Sequence, residues 1–253
     1  MFEWLKPRPK LFSIDPATKA AAARIGERLN CPCLYTQTKK GGLAVPMMHA
    51  EPQDESLAGW RSLRELVERS AADGAEVLEP ISHIEWNDWS AVITLPAEIS
   101  SLSRVEKIRL YGSRLRRLPP EIGRLAALRD LDIYTSYFLH WLPYEVRRCK
   151  NLGGSRMSTR ALYGNAKTLL PFPRLSAPMA TLMPTTCSVC DRGFGERTPH
   201  LWWTTQRVGT DIVPLLVHSC SNECTQSIPK SPPGFFERPH KGGGGVGMPT
   251  TRW

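Results

Sequence analysis

The chain has 253 residues, 41% of them hydrophobic, with a mean hydropathy of −0.30. That balance predicts a soluble globular protein of one large domain or two small ones, and no run of about 18 apolar residues is present to cross a bilayer. The net charge of +9 is uneven: residues 1–80 hold 11 basic and 11 acidic side chains, residues 81–175 hold 15 and 8, and residues 176–253 hold 7 and 5.

The excess over residues 81–175 suits phosphate binding, and it equally suits the plain task of keeping a large surface polar. The first ten residues, MFEWLKPRPK, carry charges and prolines where a signal peptide needs an apolar core, so a cytoplasmic protein is expected. The seven cysteines are an odd number, and four of them fall in two close pairs, which favours a metal over a disulfide framework.

Residues 1–15 read as an irregular lead-in broken by Pro7 and Pro9. Residues 17–29, ATKAAAARIGERL, read as a helix with Asp15 as its cap and Pro16 at its first position. Cys31 and Cys33 follow with no third or fourth ligand nearby and read as buried thiols. Lys39 to Gly42, KKGG, reads as a turn between two short strands, and residues 51–56 as a loop. Residues 57–71 predict a second helix: Leu57, Trp60, Leu63, Leu66 and Val67 form one apolar stripe at helical spacing, and Gly74 is a plausible stop.

Residues 95–152 carry a fixed period. Leu95-Pro96, Leu118-Pro119 and Leu142-Pro143 recur at spacings of 23 and 24, as do Ile99, Ile122 and Val146, then Val105, Leu128 and Leu152. A period in this range signals a stacked repeat, each unit carrying one short strand. Matching Ile81, Ile84 and Trp86 to Val105, Ile108 and Leu110 places a further strand at the start, for about four in all.

Side chains alternate along a strand, so the outward rows can be read directly. They are His83, Lys107, Asp130 and Gly154; Glu85, Arg109, Asp132 and Arg156; and Asn87, Tyr111, Tyr134 and Ser158. The middle row alternates in sign. It reads as a ladder of charge pairs, as a partner-binding face anchored by Tyr111 and Tyr134, or as both. Ser155 stands in a slot that elsewhere holds leucine.

An extra residue in TSYFLHWLP brings Tyr137, Phe138, His140 and Trp141 together, either as filling for the core or as a contact site. Arg114, Arg116, Arg117, Arg124, Arg129, Arg147, Arg148 and Lys150 fall on the turns and edges, without the interleaved aromatics of a single-strand binder. Cys149 sits at the position of Leu102 and Leu125. That predicts burial and argues against its use as the nucleophile of a ligase-type enzyme.

Cys187 and Cys190 precede Cys220 and Cys224 by about thirty residues. Two close pairs of cysteines can supply four thiolates in a tetrahedron, the arrangement structural zinc prefers, with no open position for catalysis. His218 is an alternative fourth ligand. HLWWTTQRV and DIVPLLVHS read as two strands around Gly209-Thr210, and a short helix is expected near Ser221. Knuckle, hairpin and helix together look like a treble-clef or zinc-ribbon-like module, expected to pack on the C-terminal end of the repeats. Residues 229–253 lack periodicity and read as a flexible tail.

Residues 95–152 resemble the LPxxIxxLxxLxxLxL class of intracellular leucine-rich repeats, as in Ras-suppressor-like proteins. The resemblance implies a curved protein-binding scaffold without enzymatic activity. In that family an asparagine hydrogen-bonds along the stack to backbone groups; Ser113 and Ser136 occupy its place here.

The expected fold is α/β: a short leucine-rich-repeat solenoid with an α-helical N-terminal cap region and a small zinc-binding β-hairpin module. The expected division is residues 1–80 for the cap, 81–175 for the repeats, 176–228 for the zinc module and 229–253 for the tail. The expected partner is a protein, held by Lys107, Arg109, Tyr111, Asp130, Asp132 and Tyr134. A nucleic-acid-associated zinc-finger protein using the basic edge is the alternative.

Overall fold

A computed structural model describes residues 48–165 and 170–246. The expected helix at 17–29, the turn at 39–42, and Cys31 and Cys33 lie outside them. No helix among the described residues is long and apolar enough to cross a membrane.

The repeat period is realised as a parallel sheet. Strands β1 (Val77–Leu78), β2 (Lys107–Arg109), β3 (Asp130–Ile133) and β5 (Gly154–Met157) lie side by side in that order. Lys107 pairs with Asp130, and Asp130 with Gly154, so each repeat spacing becomes one step across the sheet. Ile108 and Leu131 point inward and are fully buried.

After β2, β3 and their equivalents the chain turns through a Leu-Pro step into short 3-10 segments. These are Ala97–Ser101, Pro120–Arg124 and Tyr144–Arg148, each entered from a proline in extended backbone. Ile99, Ile122 and Val146 point from them into the core.

The first strand corrects the sequence alignment. The period places it at Ile81, Ile84 and Trp86, but β1 is Val77–Leu78, and Val77 pairs with Lys107 thirty positions on. Residues 80–82 form a 3-10 turn and Trp86–Trp89 a short helix, α2. The first unit is longer than the others because this turn and helix are inserted after its strand, so a fixed shift of 24 overruns it. His83, Glu85 and Asn87 therefore leave the outward rows.

Helix α1 (Ala58–Ala72) precedes β1 and buries Trp60, Leu63, Leu66 and Val67 of the predicted stripe, while Leu57 is its half-buried N-cap. Gly74 takes φ +61°, the left-handed conformation that ends such a helix. These residues join the same continuous core as the sheet, so α1 covers the N-terminal side of the stack.

The other side is closed by the hairpin β6 (His200–Val208) and β7 (Asp211–Ser219), with the predicted bounds. Strand β4 (Leu142–Pro143) adds to β7 in parallel, so the third Leu-Pro step is also the third strand of the hairpin's sheet. Val208, Val213, Leu215 and Val217 belong to the repeat core.

The hairpin tip explains Ser155. Its hydroxyl meets the backbone N–H of Thr210 at 2.9 Å and the Asp211 carboxylate at 2.6 Å, and its carbonyl accepts from Thr210 Oγ1 at 2.9 Å. A leucine there would have no room, because Gly209 (φ +58°) presses onto it: a Cβ on Gly209 would lie 2.7 Å from Ser155 Oγ. The leucine slot was given up to dock the tip.

Two of the four residues around the insertion in the third unit serve the interior, while Tyr137 and Phe138 are half-buried. His140 and Trp141 are buried, and Trp141 packs edge-on against Trp203 with Tyr163 and Phe172 in a second core. Composition predicts a flexible tail from 229, yet residues 240–243 are stitched to the hairpin and its neighbour. His240 and Trp203 exchange two backbone hydrogen bonds, and Gly243 N–H donates to Phe172.

Candidate functional site

The four paired cysteines come together. Cys187 and Cys190 lie in a knuckle whose ends are closed by a bridge between Thr186 and Gly193. Cys220 follows β7, and Cys224 sits in helix α3 (Asn222–Gln226), whose N-cap Ser221 accepts from the Cys224 N–H. Their sulfurs all lie within 4.8 Å of one another, with Cys190–Cys220 and Cys220–Cys224 at 3.6 Å.

A disulfide would need about 2.05 Å, whereas four thiolates about 2.3 Å from one ion stand about 3.8 Å apart. The donor set and spacing thus fit a four-coordinate metal. The Cys220 N–H also donates to Cys187 Sγ at 3.3 Å, an outer contact of the kind that orients a ligand.

The thiols do not favour ionisation together. The Arg192 backbone and guanidinium lower Cys190 to about 6, while burial and its thiol neighbours push Cys224 up to about 12. A central cation removes that conflict, because it binds the thiolate forms. His218, the alternative ligand, is buried, with its pKa pushed down to about 4, and stands outside the four-sulfur group.

The knuckle is tied to the repeats by charge. Asp191, in left-handed backbone at φ +60°, accepts from Thr186, from both terminal nitrogens of Arg124, and from Arg148 at 3.0 Å. Burial opposes its ionisation, but these hydrogen bonds and the nearby arginines hold its carboxyl below the usual range. Arg148 also donates to the Cys187 and Ser188 carbonyls. The hairpin tip meets the end of the sheet at β5. The knuckle reaches back along the 3-10 side to the second and third units, so the module lies along the repeats as well as at their end.

The second predicted site is the outward face of the sheet. Lys107 and Arg109 are exposed; Asp130, Asp132 and Tyr111 are half-buried. Two charge pairs of the middle row form, with Glu79 standing where Glu85 was placed. Arg109 lies 3.5 Å from Glu79, and Arg156 lies 3.3 Å from Asp132. Tyr111 and Tyr134 are 6.0 Å apart between ring centroids, with the Arg156 guanidinium 5.6 Å from the Tyr134 centroid.

The sequence reading missed Val77. It and Tyr134, at 40% and 43% exposure, are the exposed large apolar side chains of the described residues, and both belong to this sheet region. The Leu78–Ile108 pairing was the available signal, but the longer first unit hid it.

The serines replacing the stack asparagine do form a ladder: Ser113 Oγ lies 2.8 Å from Ser136 Oγ, which donates to the Leu110 carbonyl. Cys149 is buried and directs its thiol at the Ile122 carbonyl, and burial raises its pKa to about 11. Its thiolate is scarce at neutral pH.

No family model matches this sequence, and no curated protein matches it. Chains of solved structures do match, among them a leucine-rich-repeat protein of Leptospira interrogans. That match has 19% identity and a TM-score of 0.24, and covers 38% of this chain and 35% of the other.

Proposed function

We propose that this chain is a non-enzymatic leucine-rich-repeat scaffold that holds a protein partner on the outward face of its parallel sheet, with a structural zinc ion in the four-cysteine module. The observation that carries the reading is the placement of Val77 and Tyr134. Exposed apolar side chains beside a row of alternating charge make the mixed surface that protein interfaces use, with aromatic and arginine anchors at the centre. Zinc is favoured for the cluster because four thiolates at tetrahedral spacing match its structural sites.

The nucleic-acid reading is the weaker one. Arg116 pairs with Glu51, Arg124 and Arg148 share Asp191, Arg129 pairs with Glu106 and Arg117 is buried, so several basic side chains of the repeats are engaged within the chain rather than free for phosphates. Retention on DNA or RNA that falls steeply with added salt would reverse this ranking.

The test is a pull-down with the native chain beside a variant carrying Arg109→Glu, Tyr111→Ser, Asp132→Arg and Tyr134→Ser. Specific partners should disappear from the variant's set; identical sets would overturn the binding face. Metal analysis of folded protein should give one equivalent of zinc, and a value well below one rejects the ion.

A further inference from the structure

The repeats, the hairpin and the segment 181–183 line a partly open cavity of about 200 Å³. Thr94, Arg117 and Trp141, which immediately precede the three Leu-Pro steps, all line it. The repeat pattern therefore asks for no particular side chain at this position, and an arginine there needs another reason.

Arg117 is 6% exposed and Glu145, also in the wall, is 1% exposed. Arg117 Nη1 and Glu145 Oε1 are both buried without a hydrogen-bond partner. A buried guanidinium lacking an acceptor is costly. Nearby arginines show the chain can supply one, since Arg116 has Glu51 and Arg124 has Asp191. Much of the remaining wall is apolar, including Leu118, Leu182 and Leu216. An adjoining hollow of about 380 Å³ shares Pro120, Glu121 and Glu145 with it.

We propose that this cavity is a binding site for a small monocarboxylate with an apolar body, its carboxylate received by Arg117 and its body held among Leu118, Trp141, Leu182 and Leu216. Size supports the class: an apolar cavity of about 150 Å³ accommodates benzene, so this one has room for a ring and one carboxylate. Charge supports it as well. The cavity's lining residues include one cation, Arg117, and two acids, Glu121 and Glu145, so a phosphate dianion meets more repulsion there than a monocarboxylate does. Glu145, which burial shifts toward its protonated form, can donate a hydrogen bond to a bound carboxylate.

Benzoate is the probe, titrated calorimetrically into the full chain, with benzamide and inorganic phosphate as companions. Benzoate should bind saturably with a dissociation constant below about 1 mM. Benzamide, of similar shape but uncharged, should bind at least about tenfold more weakly, because it forgoes the charge-assisted bond.

Arg117→Gln should weaken benzoate by about tenfold or more, and Arg117→Lys by less, with unchanged circular dichroism. The absence of saturable benzoate binding up to about 10 mM overturns the site. So does equal affinity for benzamide, or an unaltered affinity in folded Arg117→Gln. Phosphate binding more tightly than benzoate overturns the carboxylate assignment. If Arg117→Gln does not fold, the benzoate–benzamide contrast and Arg117→Lys decide alone.

Discussion

The parallel sheet and the cysteine knuckle achieve order by opposite means. In the sheet, Leu78, Ile108 and Leu131 come from successive strands and are each fully buried, and the same layering recurs at Ile99, Ile122 and Val146. Cohesion is spread over many equivalent contacts, as in any stacked array. In the knuckle, Cys187, Phe194, Cys220 and Cys224 form a small cluster of their own, separate from the main core. Cohesion there rests on four sulfurs and on Asp191. A distributed structure loses a little with each substitution, while a concentrated one fails at a point.

The strongest way to break this contrast is Cys220→Ser. Structural zinc binding is worth roughly 10 kcal/mol or more to small thiolate sites, so losing one ligand should abolish bound metal and unfold the knuckle and α3. Limited proteolysis should then open residues 184–196. The hairpin should stay folded, because Val213, Leu215 and Val217 belong to the repeat core. A single unfolding transition, lost together with the metal, would show that the two regions are one cooperative unit.

Next in size is Leu131→Ala, at the centre of the sheet. Truncating a fully buried leucine costs about 3 kcal/mol. Urea denaturation should show that loss with full metal content retained, which is the converse of the cysteine variant.

Glu145 stands where the two regions meet, and its burial gives the joint a pH dependence. Desolvation raises its carboxyl from 4.5 to about 7; the Ser188 hydroxyl, its own backbone N–H and Arg148 oppose the rise and Glu121 adds to it, while Arg117 and neutral His218 share the cavity wall. The folded chain therefore keeps a proton that the unfolded chain releases. Stability falls as pH rises from about 4.5 to about 7 and then levels. Glu145→Gln should match the native chain near pH 4 and exceed it at pH 8, by up to about 3 kcal/mol. Chemical denaturation at the two pH values checks the sign.

Legibility in the sequence follows the same division. Strands β2, β3 and β5 could be placed because Leu-Pro recurs at 23 and 24, and redundancy makes a period visible. The four cysteines could be grouped because two close pairs in sequence can come together as one cluster of sulfurs. Strand β1 could not, since the turn and helix inserted after Leu78 break the spacing.

Ser155 looked like a failed leucine until the hairpin tip supplied its partners, a contact 55 residues distant. The clamp at Asp191 was equally hidden, because nothing local marks a carboxylate that meets arginines from two different repeats. Local pattern reports periodic burial well, and reports long-range polar pairing poorly.

Asp191→Ala sharpens the comparison at a smaller scale. It leaves Arg124 and Arg148 without their shared carboxylate, but that carboxylate is 36% exposed, so solvent screening limits the loss to about 1 kcal/mol. A double-mutant cycle with Arg124→Ala should recover a coupling of similar size. Coupling near zero would mean that the Arg124 pair adds nothing, leaving Arg148, through the Cys187 and Ser188 carbonyls, as the polar tie between knuckle and repeats.

The smallest effect on stability is expected from Tyr134→Ser. The ring is 43% exposed and touches only one side of the molecule, through Tyr111 and Arg156. An exposed aromatic pair and an exposed cation–π contact are each worth about 0.5 kcal/mol, and neither is fully lost when solvent replaces the ring. Denaturation should therefore move by less than about 1 kcal/mol. Partner capture should fall much further, because a hot-spot aromatic at the centre of an interface carries at least about 2 kcal/mol. The two measurements separate the readings of this face. A large stability loss with capture intact would make Tyr134 a structural brace, and the ladder of Glu79, Arg109, Asp132 and Arg156 a device for holding sheet register alone.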